Sequence, residues 1–453
     1  MAKERKRKKK VDQSEQPQVK ESAKTPVATV EIEEAHGPTD YADEDEGMPE
    51  EAGEGEGVEV SGEEKVQPAA PTYRGKHPPE AIPVTLRIGV QELRGVLELL
   101  GPAVARRTTL PVLENVMVGE GYALATDLEV TVKVALPEVK GPVLLPHKGV
   151  LEFLKYSPGH ETAVIKVEGK ELTIAIGGSQ ARFPAAFHGD YPPLPQPQTD
   201  HEGVLAGDAL VKALTAVLPY AAKEQARPVL TGVALRLGDQ VEVVAADGFR
   251  LAWRSIPGRL PGDGLIILPA TAVSVLKRLW KRAAAAPDLS QASTPAQVAT
   301  AKRLIRLEWG ADRLCMQFGQ MTLMAQLVKG TFPDYHALIP TEKGGSVTAM
   351  VEDMQRGLKQ LGGERDEMVR LQWEGNGLGM VASDGESSKT QVTIPAQSTA
   401  PGRVALNIRY LSEYCSGKEG SITISAGITE TSPVMFTYHG VMDCVVMPMF
   451  VKW

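Results

Sequence analysis

The chain has 453 residues, 42% of them hydrophobic and 23% charged, with a net charge of -8. That length allows two or three hydrophobic cores and excludes a single small domain. Three cysteines, Cys315, Cys415 and Cys444, exclude a disulfide framework, show no zinc-ligand spacing and point to a reducing, cytoplasmic interior.

The N-terminal segment comes first in chain order and carries the whole charge imbalance. Residues 1–80 hold 12 of the 49 basic and 20 of the 57 acidic residues, so residues 81–453 hold 37 of each sign. MAKERKRKKK has no apolar stretch after its charges, so it is not a signal peptide, and no run reaches the roughly 18 apolar residues of a membrane helix. Residues 31–64 contain 15 acidic and no basic residues. Self-repulsion without apolar anchors predicts a disordered charged tail over 1–80.

From about Ile82 onward one pattern occurs three times. Each copy opens on an amphipathic helical stretch: VQELRGVLELL (90–100), GDALVKALTAVLPYAA (207–222) and VEDMQRGLKQLG (351–362). A β-rich run ending in Ala-x-Asp follows, as YALATDLEV (122–130), VEVVAADGFRLA (241–252) and LGMVASDGES (378–387). An apolar strand, then Pro or Asn, then a second amphipathic helix comes next: VLLPHKGVLEFLK (143–155), IILPATAVSVLKRLW (266–280) and VALNIRYLSEYC (404–415). Asp127, Asp247 and Asp384 are 120 and 137 residues apart; Pro146, Pro269 and Asn407 are 123 and 138 apart. Two sets of landmarks with nearly equal offsets indicate an internal repeat. The low-complexity stretch at 283–302 reads as a loop insertion that lengthens the second copy. Short alternating strands outnumber helices, which predicts α+β domains with antiparallel sheets. The expected division is a tail at 1–80 and domains at 81–202, 203–344 and 345–453.

A search for enzyme chemistry returns little. There is no GxxxxGK[ST] loop, GxSxG elbow, HExxH helix or GxGxxG turn. His147, His188 and His336 are scattered over predicted loops or beside prolines. The Asp of each Ala-x-Asp recurs three times, which suits a turn residue better than a catalytic carboxylate. No catalytic residue, cofactor or metal site is expected.

Particular strings resemble a known family. ARRTTLPVLENVMV (105–118), ATDLEV (125–130), ARFPAAFHGDYPPLP (181–195), RPVLTGVAL (227–235), AADGFRLA (245–252), LVKGTFPDYHALIP (327–340) and CVVMPMF (444–450) are similar to the bacterial DNA polymerase III beta subunit, the sliding clamp. The likeness runs in order from about Pro83 to Phe450. Residues 1–80, the insertion and Val451-Lys452-Trp453 fall outside the family's pattern. The resemblance implies a head-to-tail homodimeric ring of three-domain chains, with helices lining a central hole and sheets outside. It implies a non-catalytic processivity factor that encircles duplex DNA in the cytoplasm, at the nucleoid. Polymerase and clamp loader would dock through short linear motifs, with no membrane partner. The alternative within the interaction class is a paralogue that competes for clamp partners without being loaded.

The resemblance also implies two surfaces. A sliding ring needs sequence-blind phosphate contact. Spacing alone makes its candidates an ordinary solvated basic face; the family turns them toward DNA. They are Lys148 and Lys155 on one helix, Lys212 on another, Lys277, Arg278, Lys281 and Arg282 on a third, and the loop residues Arg106, Arg107 and Arg227. A peptide groove would comprise Leu230, Gly248, Phe249, Arg250, Leu251, Pro333 and Leu338, then Asn407, Tyr410, Val434, Val445, Met447, Pro448 and Met449. Phe249 stands where a His is common and Ala337 where an Arg is common. A more apolar groove with a shifted peptide preference is therefore expected.

Overall fold

One order of elements is used three times. The computed structural model describes residues 81–194, 198–224, 226–283, 304–362, 367–384, 388–451 and 453. The expected tail, the expected insertion beyond residue 283, and Lys452 lie outside the described residues.

Module one starts with β1 (Ala81–Gly89), α1 (Val90–Leu100), β2 (Asn115–Gly119), β3 (Tyr122–Thr126) and β4 (Val130–Ala135). It continues with β5 (Val143–Pro146), α2 (His147–Lys155), β6 (Thr162–Gly169), β7 (Glu171–Ile176) and β8 (Ser179–Pro184). Module two starts with β9 (His201–Ala206), α3 (Gly207–Val217), β10 (Gly232–Gly238), β11 (Val241–Ala246) and β12 (Arg250–Ile256). Its second half is β13 (Leu260–Pro269), α4 (Ala270–Ala283), β14 (Leu304–Trp309), β15 (Arg313–Phe318) and β16 (Met321–Gln326). Module three starts with β17 (Ser346–Met350), α5 (Val351–Gln360), β18 (Met368–Glu374), β19 (Gly377–Asp384) and β20 (Ser388–Ser398). It ends with β21 (Gly402–Asn407), α6 (Ile408–Cys415), β22 (Ser421–Ser425), β23 (Val434–Tyr438) and β24 (Val441–Val446).

The helices form where the periodicity puts them, because each has one apolar stripe to bury. In α1 the buried residues are Val90, Leu93, Val96, Leu97 and Leu100, and Gly101-Pro102 end it. Each such side chain contributes roughly 1.5–3 kcal/mol relative to exposure. Asn407 caps α6 by accepting the Arg409 and Tyr410 backbone N–H at 2.9 and 3.4 Å.

In its first two copies the recurring Asp is a turn residue, as its repetition suggests, while Asp384 ends β19 next to residues outside the described ones. Asp127 Oδ1 accepts from the Glu129 and Val130 backbone N–H at 3.1 and 2.7 Å. Asp247 Oδ1 does the same for Phe249 and Arg250 at 2.9 and 3.0 Å. The next residue is left-handed in both turns: Gly248 at φ 94° and Leu128 at φ 78°. Glycine accepts this geometry without strain, whereas Leu128 carries a local penalty of about 1–2 kcal/mol.

Each module holds two antiparallel four-stranded sheets. They are β1-β6-β7-β8 and β5-β2-β3-β4 in module one, and β9-β14-β15-β16 and β13-β10-β11-β12 in module two. Module three has β17-β22-β23-β24 and β21-β18-β19-β20, and there the end of β20 also pairs with β17. Two seams join the modules: β4 pairs with β16, and β12 pairs with β24. Every seam therefore joins the fourth strand of one module to the last strand of the next. Among the described residues, β8 and residues 388–395 of β20 have no partner on their second edges.

Candidate functional site

Two surfaces collect the predicted residues. The first lies on the helices, which pack in pairs, α1 with α2, α3 with α4 and α5 with α6, while α1 also meets α4 across the module boundary. Arg106, Arg278, Lys281 and Arg282 border one cleft between α1, α2 and α4, together with His147 and Glu98. Arg106 and Lys148 border an adjoining cleft. Arg282 pairs with Glu98 at 3.2 Å, which leaves Arg278 and Lys281 as exposed cations on the last turns of α4. Lys155 lies 5.3 Å over the exposed Tyr156 ring at the end of α2. Lys212 on α3, Lys277 on α4 and Arg107 in the loop between α1 and β2 are exposed but border neither cleft. Arg227 falls elsewhere: a Cβ on Gly248 would stand 3.4 Å from its Nη1, which places this arginine beside the second surface.

The second surface is an apolar cleft of about 470 Å³ at the β12–β24 seam. Of the expected groove residues, Gly248, Phe249, Arg250, Leu251, Leu338, Val445 and Met447 line it. Leu230 is buried beneath it, in a small core with Leu251, Val244, Ile267, Phe332 and Tyr335. Pro333 is exposed on the connecting segment and does not line the cleft. Asn407 is spent on capping α6, and Tyr410 packs against Arg250. Val434 is buried and, with Met449, borders a neighbouring cleft; Pro448 is half-buried between them in the chain. The expected groove set did not include Pro340, Thr341 and Glu342 at one wall or Ile428, Ser432 and Pro433 at another. The latter group sits in a turn between β22 and β23, with no periodic signal to mark it.

Arg250 organises the seam. Its Nε donates to Asp247 Oδ2 at 2.9 Å, its Nη2 donates to the Pro219 carbonyl at 2.9 Å, and its Nη1 lies 2.6 Å from Glu413 Oε2 on α6. Its guanidinium is stacked 4.8 Å from the Tyr220 ring centroid and 4.3 Å from that of Tyr410. The cation is 6% exposed and fully committed, so it shapes the groove wall without being free to meet a ligand's charge. Burial alone would raise Glu413, but the Arg250 and Arg409 guanidiniums more than offset it and hold this carboxyl below its usual range.

A second polar knot locks the same seam. Asp443 on β24 binds Arg254 on β12, accepts from Tyr414 Oη at 2.8 Å and lies 3.8 Å from Lys418 Nζ. Burial pushes the Lys418 ammonium down to about 8, against the opposing pull of Asp443.

The wall carrying Ala337 and Leu338 is tethered away from the groove. Arg236, Glu242 and Ser255 face one another across β10, β11 and β12. Glu242 accepts from Tyr335 Oη at 2.6 Å and from Ser255 Oγ at 3.1 Å, while His336 Nε2 lies 3.6 Å from it. Tyr335 and His336 thus fix the backbone immediately before Ala337.

Among the described residues, no cluster of three or more His, Cys, Asp or Glu could hold a metal, and no helix is long and apolar enough to cross a membrane. The three cysteines are free and buried.

Residues 204–334 match the family model for the DNA polymerase III beta subunit, central domain. The beta sliding clamp of Synechococcus elongatus is 26% identical over 370 residues, covering 77% of this chain and 94% of that protein. The beta sliding clamp of Escherichia coli K12 is 23% identical, covering 70% and 86% respectively. Among solved structures, the Pseudomonas aeruginosa sliding clamp bound to griselimycin superposes with a TM-score of 0.70 at 22% identity, over 81% of this chain and 99% of that one. The Bartonella birtlesii clamp, also bound to griselimycin, gives 0.71 at 20% identity, over 82% and 100%. The ordered strings, the central-domain match and the fold shared along nearly the full length of these relatives converge on one likeness, to the DNA polymerase III beta subunit, the bacterial sliding clamp.

Proposed function

We propose that this protein is a DNA sliding clamp, a non-catalytic processivity factor that encircles duplex DNA and tethers the replicative polymerase. The observation that carries the reading is the repeated seam. Twice, the fourth strand of one module pairs with the last strand of the next, and among the described residues the strands of these two types left without such a seam are β20, along residues 388–395, and β8. A second copy can make the missing seam at both ends. A heterologous contact used twice closes a head-to-tail dimer of six modules rather than growing a filament.

The basic surface supports the same reading. Arg106, Lys148, Arg278 and Lys281 offer charge without a base-reading element, as sliding requires. Lys155, Lys212, Lys277, Arg282 and Arg107 extend this surface in our proposal. Arg227 is better assigned to the groove margin. The groove itself would receive short motifs of polymerase and loader, and griselimycin, bound by two of the clamps this chain is similar to, is the ligand we propose as its probe. The domain limits 81–202, 203–344 and 345–453, a disordered tail and a cytoplasmic, nucleoid-associated location complete the proposal.

Sedimentation equilibrium tests ring assembly. A dimer of twice the chain mass is expected, and a charge-bearing substitution on the free edge, Ala181→Glu in β8, should shift it toward monomer. A wild-type monomer at micromolar concentration would contradict the closure.

A further inference from the structure

We propose that His147 is a further phosphate contact on the basic surface between the helices, and that it takes up a proton when it meets DNA. The inference rests on the sliding reading above and adds to it one residue and a pH dependence.

In the chain His147 only follows a proline, but the fold makes it the first residue of α2, half-buried against the end of α1. It borders both basic clefts, and with Gly101 and Arg106 it forms the saddle between them. A Cβ on Gly101 would stand 3.0 Å from His147 Nε2 and 3.1 Å from Cε1, so the bare glycine leaves room for this edge of the ring.

One hydrogen bond fixes the tautomer. His147 Nε2 lies 2.9 Å from the Leu97 carbonyl, which can only accept, so Nε2 carries the hydrogen. Nδ1 of the neutral ring is then a lone pair, and among the described residues it has no hydrogen-bond partner. A lone pair repels a phosphate oxygen. Nδ1 can engage phosphate only as an N–H, which requires the imidazolium, with Nε2 still donating to Leu97.

The neighbours supply charge of fixed sign. Arg106 from the loop after α1, Lys148 from α2, and Arg278, Lys281 and Arg282 from α4 bring five cations to the two clefts. Against them stand Glu98 from α1, paired with Arg282, and Glu114 from the turn before β2. Arg94 on α1 is spent on the Leu154 and Ser157 carbonyls at the other end of α2. Of these side-chain types, histidine is the one that ordinarily changes charge between about pH 5 and 8. A phosphate arriving beside Nδ1 favours the charged ring, so the complex holds the proton to higher pH than the free protein does. Affinity for DNA is therefore greatest below the free protein's transition and falls as pH rises through that of the complex.

Fluorescence anisotropy of the full-length protein on a short rhodamine-labelled duplex, at fixed low salt and from about pH 6 to 8, tests the proposal. Wild-type affinity should fall about fivefold across that window. His147→Gln keeps an N–H for Leu97 but cannot charge, and should bind at the weaker level throughout. His147→Lys should bind at the tighter level without the slope, and it decides the question should the glutamine variant not fold. A slope that survives either substitution, or a wild type without one, would overturn the His147 contact while leaving the basic surface intact. The double variant Arg278→Ala, Lys281→Ala tests that surface separately: it should weaken binding at every pH and keep the slope. Unchanged binding there would instead remove the sliding surface, and the His147 contact with it.

Discussion

Arg250 shows how one residue can serve both fold and site. Truncating it leaves Asp247 and Glu413 facing a void under two tyrosine rings, so Arg250→Ala should cost about 3–5 kcal/mol in chemical denaturation, the range for breaking a buried ion pair. The Ala-Asp-Gly-Phe-Arg string announced the residue, but its commitment to α6 depends on a partner 163 residues away and was not legible. Phe249 is the opposite case: exposed, unpaired through its side chain and lining the cleft. Phe249→His should weaken griselimycin binding by about 1 kcal/mol, roughly fivefold, by removing aromatic area. Equal affinities would mean the apolar substitution has no bearing on preference. Lys418 sets a pH signature. Its folded pKa of about 8 lies below the unfolded value of about 10.4, so the unfolded chain binds more protons between these limits and stability should rise with pH across that window. Lys418→Met should flatten that rise in thermal melts at pH 8 to 10.

At the scale of elements, the segment from β16 to β17 is held by Phe332 and Tyr335 in the small outer core and by the Tyr335–Glu242 bond. Tyr335→Phe keeps the packing and removes the bond, which leaves Glu242 short of a donor at a cost of roughly 1–3 kcal/mol. If that bond positions the wall, griselimycin affinity should fall roughly threefold, since part of this cost is relieved by wall motion, while dimer mass stays unchanged. Loss of the dimer would show a global effect instead. Helices were legible in the sequence because an apolar stripe repeats within one element, as in Val90, Leu93, Leu97 and Leu100. The turns were legible because Asp127 and Asp247 act on their own neighbours. The seams were not: β4 meets β16 across some 190 residues, and nothing local in VTVKVA or MTLMAQ names the other. The groove inherits this limit. Its AADGFRLA and VVMPM walls could be read, whereas Ile428 reaches it only through the β22–β23 hairpin.

For the whole molecule, charge returns as a question of placement. The residues from 81 onward are formally neutral, with 37 charges of each sign, yet Arg106, Arg278, Lys281 and Arg282 gather around one cleft between the helices. A neutral body can hold a polyanion if its cations are segregated there. Topology, not affinity, would then keep the protein on DNA, because phosphate contacts alone weaken steeply with salt. Retention on nicked circular DNA against the same DNA linearised, with clamp loader and ATP present and a high-salt wash, tests this most directly. The account predicts that the protein stays on circles and runs off linear ends; equal loss from both would contradict it.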